Sequence, residues 1–380
     1  MKKLVIAAAV AALGVPVSAQ ADTVEERLAA LEARLVQMEA RIGDQARELQ
    51  EKDARIAELE QRPAATASAT AANGSAPWFE RVNMTGLMQI DVAHVSPEHG
   101  DDTSDVTAHK LELGLEAQIN DWVRGDILIK HEESTDNDGE LKVENVRLTV
   151  ADPDGPWFVE AGQYVLPFGV FSSYMLTDPL TKALGETLDS AVLVGATAGA
   201  LTGSVYAFQG DQQDTITNFG ASAQLNLESE AATFFAQLSY LSDLAETNAI
   251  VDGGWVSPGV DKVGAWMLSA ELGLGDFHFV AEYLAAMDGF DDAGGDKPRV
   301  YNLEAAYDFA AMGKDAYVAL GFQGARDAEN AVWELPEKRR LGTVAMEIFD
   351  DTWLGLEYKQ DKDFAGDKET TVTGRLSVEF

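Results

Sequence analysis

The sequence predicts an all-β transmembrane barrel of about 16 antiparallel strands, preceded by an N-terminal α-helical coiled coil. Three observations predict it. Apolar and polar residues alternate in 16 short segments between Trp78 and Phe380, the connections between them alternate between tight turns and long acidic loops, and a heptad pattern runs from Val24 to Leu59. A wall with one apolar and one polar face averages to near neutrality, which matches a mean hydropathy of −0.12 with 46% hydrophobic residues.

Lys2 and Lys3 precede an apolar run from Leu4 to Val17 and the small-x-small triplet Ala19-Gln20-Ala21, so residues 1–21 are expected to be a secretory signal peptide. Beyond them no run of about 18 apolar residues occurs, and helices are not expected to cross a membrane. Leu28, Leu35, Ile42, Leu49 and Ile56 take heptad position a, and Val24, Leu31, Met38 and Leu59 take position d, with Gln45 and Lys52 as polar d residues. Residues 22–62 are therefore expected to form a periplasmic coiled coil through which copies of the chain self-associate, with a trimer favoured. Residues 63–77, small and uncharged between Pro63 and Pro77, suit a flexible linker, and 78–380 the barrel.

The expected strands span 82–93, 107–119, 121–131, 140–150, 157–165, 190–199, 200–210 and 217–228, then 230–242, 263–274, 276–288, 299–310, 314–326, 338–349, 351–361 and 370–380. Tight turns at Asn120-Asp121, Gly275-Asp276 and Asp350-Asp351 alternate with long connections at Ser96–Val106, Glu132–Gly139, Leu241–Lys262 and Asp288–Pro298. Short periplasmic turns and long external loops produce this alternation, and an even strand count suits a bacterial barrel. Trp122, Trp157, Phe277, Phe309, Phe349, Trp353 and Phe380 fall beside the short turns, where an aromatic girdle would meet the membrane interface. In the last strand Val372, Gly374, Leu376, Val378 and Phe380 share one face, and Phe380 at its end resembles the signal by which barrel-assembly machinery recognises outer-membrane proteins.

With 64 acidic against 28 basic residues and a net charge of −36, nucleic acid is excluded as a partner class. The lack of cysteine removes disulfides, thiolate metal sites and cysteine nucleophiles. No cofactor or metal motif is present, and none of the five histidines sits in a recognisable Ser/His or Asp/His arrangement, so no enzymatic activity is expected.

Alternation assigns Lys110, Glu112, Glu116, Arg124, Asp126, Lys130, Arg147, Glu271, Glu282, Glu304, Glu347, Glu357, Lys359 and Arg375 to the lumen face. Facing lipid, each such charge would cost about 2 to 4 kcal/mol at the midplane. The connection Leu166–Asp189 is the third long loop and is too apolar to hang in water. It is expected to fold into the lumen, with Phe168, Phe171 and Tyr174 packed on the wall and Asp178, Lys182, Glu186 and Asp189 as charges at a constriction; an outside cap is the alternative.

The string Gly162-Gln-Tyr-Val-Leu-Pro-Phe-Gly-Val-Phe171, followed by Thr177-Asp-Pro-Leu180, resembles the LbtU-type siderophore porin family, as does the order of coiled coil, linker and barrel. The resemblance implies an outer-membrane channel without a plug domain, seated in lipid and lipopolysaccharide, that passes a ferric siderophore or a similar small chelate. Phosphate-selective porins are similar at the coiled coil and the Pro-Phe-Gly segment, but a cationic ladder for anions is disfavoured by 53 acidic against 19 basic residues in 78–380. Two alternatives stay open: a general cation-preferring diffusion porin, and an envelope tether whose coiled coil reaches through the periplasm from a barrel anchor.

Overall fold

The computed structural model describes residues 81–380, apart from 134–138, 140, 212–214, 257–261 and 331–332. The expected signal peptide, coiled coil and linker lie outside the described residues. The strands are β1 (Val82–Pro97), β2 (Thr103–Gln118), β3 (Val123–Glu132), β4 (Leu141–Ala151), β5 (Trp157–Val165), β6 (Leu188–Ala198), β7 (Leu201–Phe208) and β8 (Asn218–Glu228). They continue as β9 (Ala232–Leu241), β10 (Ala265–Leu274), β11 (Phe277–Ala286), β12 (Arg299–Ala311), β13 (Lys314–Arg326), β14 (Lys338–Phe349), β15 (Thr352–Lys362) and β16 (Lys368–Glu379). Each pairs antiparallel with its sequence neighbours, and β1 pairs with β16, so the 16 strands form a closed barrel. Gly86 and Phe380 complete the seam by exchanging backbone hydrogen bonds of 2.7 and 3.0 Å. Closure leaves no edge strand with unpaired amides, the condition for a sheet to sit in lipid.

Side-chain alternation follows the pleat. In β11, Phe277 and Phe279 face outward while Val280, Glu282 and Leu284 are buried inside. In β15, Leu354, Leu356 and Tyr358 face outward and Glu357 inward. The outer surface is accordingly apolar, with Leu320 69% and Val205 61% exposed, the reverse of a water-soluble sandwich.

Three details differ from the sequence expectations. β1 and β2 run on into the expected Ser96–Val106 loop and leave only 98–102 as a connection. Register shifts between Gln89 and Asp91 and between Leu128 and Ile129 interrupt strict alternation. In the girdle, Trp122, Trp157, Phe277, Phe309, Phe349 and Phe380 are exposed on the outside, but Trp353 shares the inward face with Gly355 and Glu357 and packs against Tyr317, with ring centres 6.1 Å apart. The bulge after Glu347 and the turn at Asp350-Asp351 set the parity of β15, and residue 353 falls on the lumen side.

Gly162 in β5 has φ +144°, and a Cβ there would lie 1.9 Å from the Val146 carbonyl oxygen of β4. Gly162→Ala should cost about 1 to 3 kcal/mol, seen as a lower temperature for loss of the compact, fast-migrating form on cold gel electrophoresis; an unchanged temperature contradicts this register.

Candidate functional site: the barrel lumen

The segment between β5 and β6 enters the barrel. Its first residues leave the wall through Leu166 and Phe168, both buried, and Gln237 and Ser239 of β9 donate to the carbonyls of Pro167 and Phe168. A short helix, α1 (Leu180–Gly185), follows Pro179, whose fixed φ and missing N–H suit a helix start. Leu180 and Leu184, four residues apart, present one apolar face to the inner walls of β11–β13. A second short helix, α2 (Asn248–Gly253), from the β9–β10 connection braces it: the Asn248 amide donates to the Glu186 carbonyl at 2.9 Å, and the Leu188 amide to Asn248 Oδ1 at 2.8 Å. Burying each of the large apolar side chains contributes about 1.5 to 3 kcal/mol.

Between Phe168 and α1 the chain is irregular, and its amides have no helix or strand partners. Glutamates of the wall accept from them instead. Glu282 takes the Phe171 amide at 2.8 Å and the Thr181 and Ser269 hydroxyls. Glu271 takes the Ser172 hydroxyl at 2.6 Å, and Glu304 takes the Tyr174 amide at 2.7 Å and the Ser173 hydroxyl at 2.8 Å. Glu357 takes the amides of Leu176 and Thr177 at 2.6 and 3.1 Å and the Thr343 hydroxyl at 2.8 Å. Phe171 has φ +59°, a strained left-handed conformation for an aromatic residue, which aims its amide at Glu282. Tyr174 lies between His278 and Tyr317, with ring centres 5.5 and 5.9 Å away.

The rest of the lumen is ionic. Arg375 and Asp91 form a two-pronged pair, both contacts 2.7 Å, and Arg339 pairs likewise with Asp361 at 2.8 and 2.9 Å. Lys130 lies 2.8 Å from Glu132 and 2.9 Å from Glu144, Lys110 3.5 Å from Glu132, and Arg147 3.1 Å from Asp126 and 3.4 Å from Glu160. These groups belong to β14–β16 and β1–β5, whereas the apolar packing of the inserted loop uses β5–β7 and β9–β14. The loop turns Asp178, Lys182 and Glu186 toward the ionic wall. Lys182 spans Asp178 at 2.6 Å and Glu186 at 3.7 Å along α1, and Arg339 reaches the Asp178 carbonyl at 3.5 Å. Enclosure opposes ionisation of Asp178, but Lys182, with Lys110 and His109 of the wall, outweighs it and holds the carboxyl below its ordinary value. Enclosure of Glu186 wins over Lys182 and Lys130 and raises its carboxyl above the ordinary value.

The structure thus brings together most of the residues singled out by alternation, in two groups with different surroundings. Glu282, Glu304 and Glu357 are buried beneath the loop, whereas Lys110, Asp126, Lys130, Arg147, Lys359 and Arg375 stand among the ion pairs. Glu112 lies on the same face of β2, Glu116 pairs with Arg124 at 3.9 Å, and Glu347 pairs with Lys314 at 3.6 Å near the short-turn rim. Asp189 is not with Asp178, Lys182 and Glu186: it lies in β6, because that strand begins at Leu188, and its carboxylate accepts from the Gly210 amide at 2.7 Å. Asp91, His109, Glu132, Glu144, Glu160, Arg339 and Asp361 escaped notice. Alternation in β14 and β15 points to Arg339 and Asp361, whereas the two register shifts obscure Asp91, His109 and Glu144.

No family model matches the chain. It is 25% identical over 320 residues to a UPF0422 protein of Coxiella burnetii, covering 78% of this chain and 68% of that protein. It is 24% identical over 317 residues to the UPF0422 protein lpg2959 of Legionella pneumophila, covering 74% of this chain and 59% of that relative's length. Among solved structures it is similar to the outer membrane channel DcaP of Acinetobacter baumannii, with a TM-score of 0.55 and 16% identity over 79% of this chain and 97% of that one. It is also similar to OprB of Pseudomonas putida, with a TM-score of 0.59 and 11% identity over 80% and 95% of the two chains. These likenesses show a porin-type barrel fold.

Replacing Glu304 and Glu357 with alanine leaves the amides of Tyr174, Leu176 and Thr177 without acceptors, at about 1 to 3 kcal/mol each. The double variant should show faster hydrogen exchange at those amides and a larger single-channel conductance; protection and conductance equal to the parent protein contradict the clamp.

Proposed function

We propose that the chain is an outer-membrane channel whose permeation path runs between the inserted loop and the ionic wall centred on β16 and β1–β4, constricted at Asp178, Lys182 and Glu186. The observation that carries this reading is the loop held inside a barrel whose outer face is apolar. A polar lumen behind an apolar exterior is what diffusion of hydrophilic solutes across lipid requires. The net −34 of residues 78–380 does not describe this path: 7 of the 19 basic residues, namely Lys110, Lys130, Arg147, Lys182, Arg339, Lys359 and Arg375, line it, each set against a carboxylate.

Such a lining presents alternating donors and acceptors, and supports a solute that carries both. A ferric siderophore or comparable small chelate, the solute implied by the family resemblance, fits that description. Self-association, favoured as a trimer through the heptads of 22–62, and engagement of the barrel-assembly machinery by Phe380 complete the proposal. A general cation-preferring diffusion porin is the second reading, favoured by the excess of acidic residues in the long loops.

Planar-bilayer recordings of the purified protein in a salt gradient, before and after ferric and iron-free siderophore, separate these. Conductance blocked only by the ferric chelate is the expected result. Conductance indifferent to both leaves the diffusion porin, and a barrel that never conducts overturns the channel.

A further inference from the structure

The outer face carries an unexpected concentration of positive charge at one rim. Arg299, Arg326, Lys338, Arg340, Lys362 and Lys368 all stand at the long-loop end of β12–β16. Their parity is that of lipid-facing neighbours: Arg340 matches Val344, Lys362 matches Tyr358, Lys368 matches Val372, and Arg326 matches Phe322. No basic residue occurs from Ala183 to Asp261, so strands β6–β9 have no counterpart.

The register makes the arrangement costly by itself. Arg299 is directly opposite Arg326, Lys338 opposite Lys362, and Lys362 opposite Lys368. Like charges at directly paired positions on one face repel. The protein supplies part of the compensation: Asp327 lies 2.9 Å from Arg299, and Glu337 lies 2.8 Å from Lys338 and 2.7 Å from Lys362. Hydrogen bonds from those two lysines lower the Glu337 carboxyl to about 2. Arg326, Arg340 and Lys368 have no acidic side chain in ion-pair range among the described residues. Immediately below stands a row of outward aromatic rings, Tyr301 beside Phe322 with centres 5.7 Å apart and Tyr358 exposed, which marks the membrane interface.

We propose that the outward rim of β12–β16 binds a phosphorylated lipid headgroup of the outer leaflet, with Arg326, Arg340 and Lys368 as its principal cations. The headgroup phosphates take the place of the missing counter-ions, charge-assisted hydrogen bonds form to the arginine forks, and the acyl chains lie along the apolar wall beneath the aromatic row. This inference rests on the outer-membrane reading, since only there does the long-loop rim face a leaflet of phosphorylated glycolipid.

The test uses full-length, detergent-purified protein and measures bound lipid by native mass spectrometry. The probes are diphosphorylated lipid A, the same lipid enzymatically dephosphorylated, and inorganic phosphate. The parent protein is expected to hold the diphosphorylated lipid at least about tenfold more tightly than the dephosphorylated one. The combined variant Arg326→Gln, Arg340→Gln and Lys368→Gln should lose about that factor, while Lys314→Gln at the opposite rim should not. Equal retention of both lipids, unaltered binding by the triple variant, or capture of inorganic phosphate as readily as lipid overturns the proposal. Conductance recorded on the same preparations separates failure of this site from failure of the channel reading, and comparison of the two lipids on the parent protein needs no variant to fold.

Discussion

The architecture of the lumen depends on four wall carboxylates, Glu271, Glu282, Glu304 and Glu357, finding donors inside the barrel. Burying an ionised carboxylate is tolerable only where hydrogen bonds replace its water shell. The irregular chain from Phe171 to Thr177 has the complementary deficit, because its amides lack the partners that a helix or strand would provide. Each side therefore satisfies the other: the glutamates accept from the amides of Phe171, Tyr174, Leu176 and Thr177 and from hydroxyls of the same segment. The strained conformation of Phe171 is the local cost of aiming those donors.

From that constraint follows a lumen divided in two. Apolar packing of Phe168, Leu180 and Leu184 requires apolar inward residues on the strands beneath them, and Met267, Leu284 and Val300 supply these. Where the loop does not pack, inward positions are free to be charged, and the pairs Arg375–Asp91 and Lys130–Glu144 occupy them. The polarity of an inward position thus follows what the loop sets against it: apolar side chains face Met267, Leu284 and Val300, and unpaired amides face Glu282, Glu304 and Glu357. Charge balance is local as well, so the acidity of the whole chain is a poor guide to the field along the path.

Much of this was legible in the sequence because the pleat imposes a period of two on every strand. All 16 expected strands are present, with boundaries shifted by a few residues, and Leu166–Asp189 stood out because Leu166, Phe168, Leu180 and Leu184 are too apolar for an external loop. What escaped depended on local departures from that period. Bulges near Asp91 and Glu144 displaced the parity of their neighbours, the β14–β15 turn put Trp353 inside, and an early start of β6 drew Asp189 away from Lys182. That Glu282, Glu304 and Glu357 anchor a loop while Lys130 and Arg375 are enclosed in ion pairs could not be inferred from alternation, which assigns a face but not what covers it.

The central claim is the position of the loop, and the lack of native cysteine makes it directly testable. A Cβ placed on Gly355 of β15 would lie 3.7 Å from Leu176 Cγ, about where the sulfur of a cysteine at 176 would sit. The double variant Leu176→Cys and Gly355→Cys, folded and mildly oxidised, should form an intramolecular disulfide without changing single-channel conductance. Two free thiols in the folded barrel, both open to a bulky external reagent, would contradict a loop held against the inner wall.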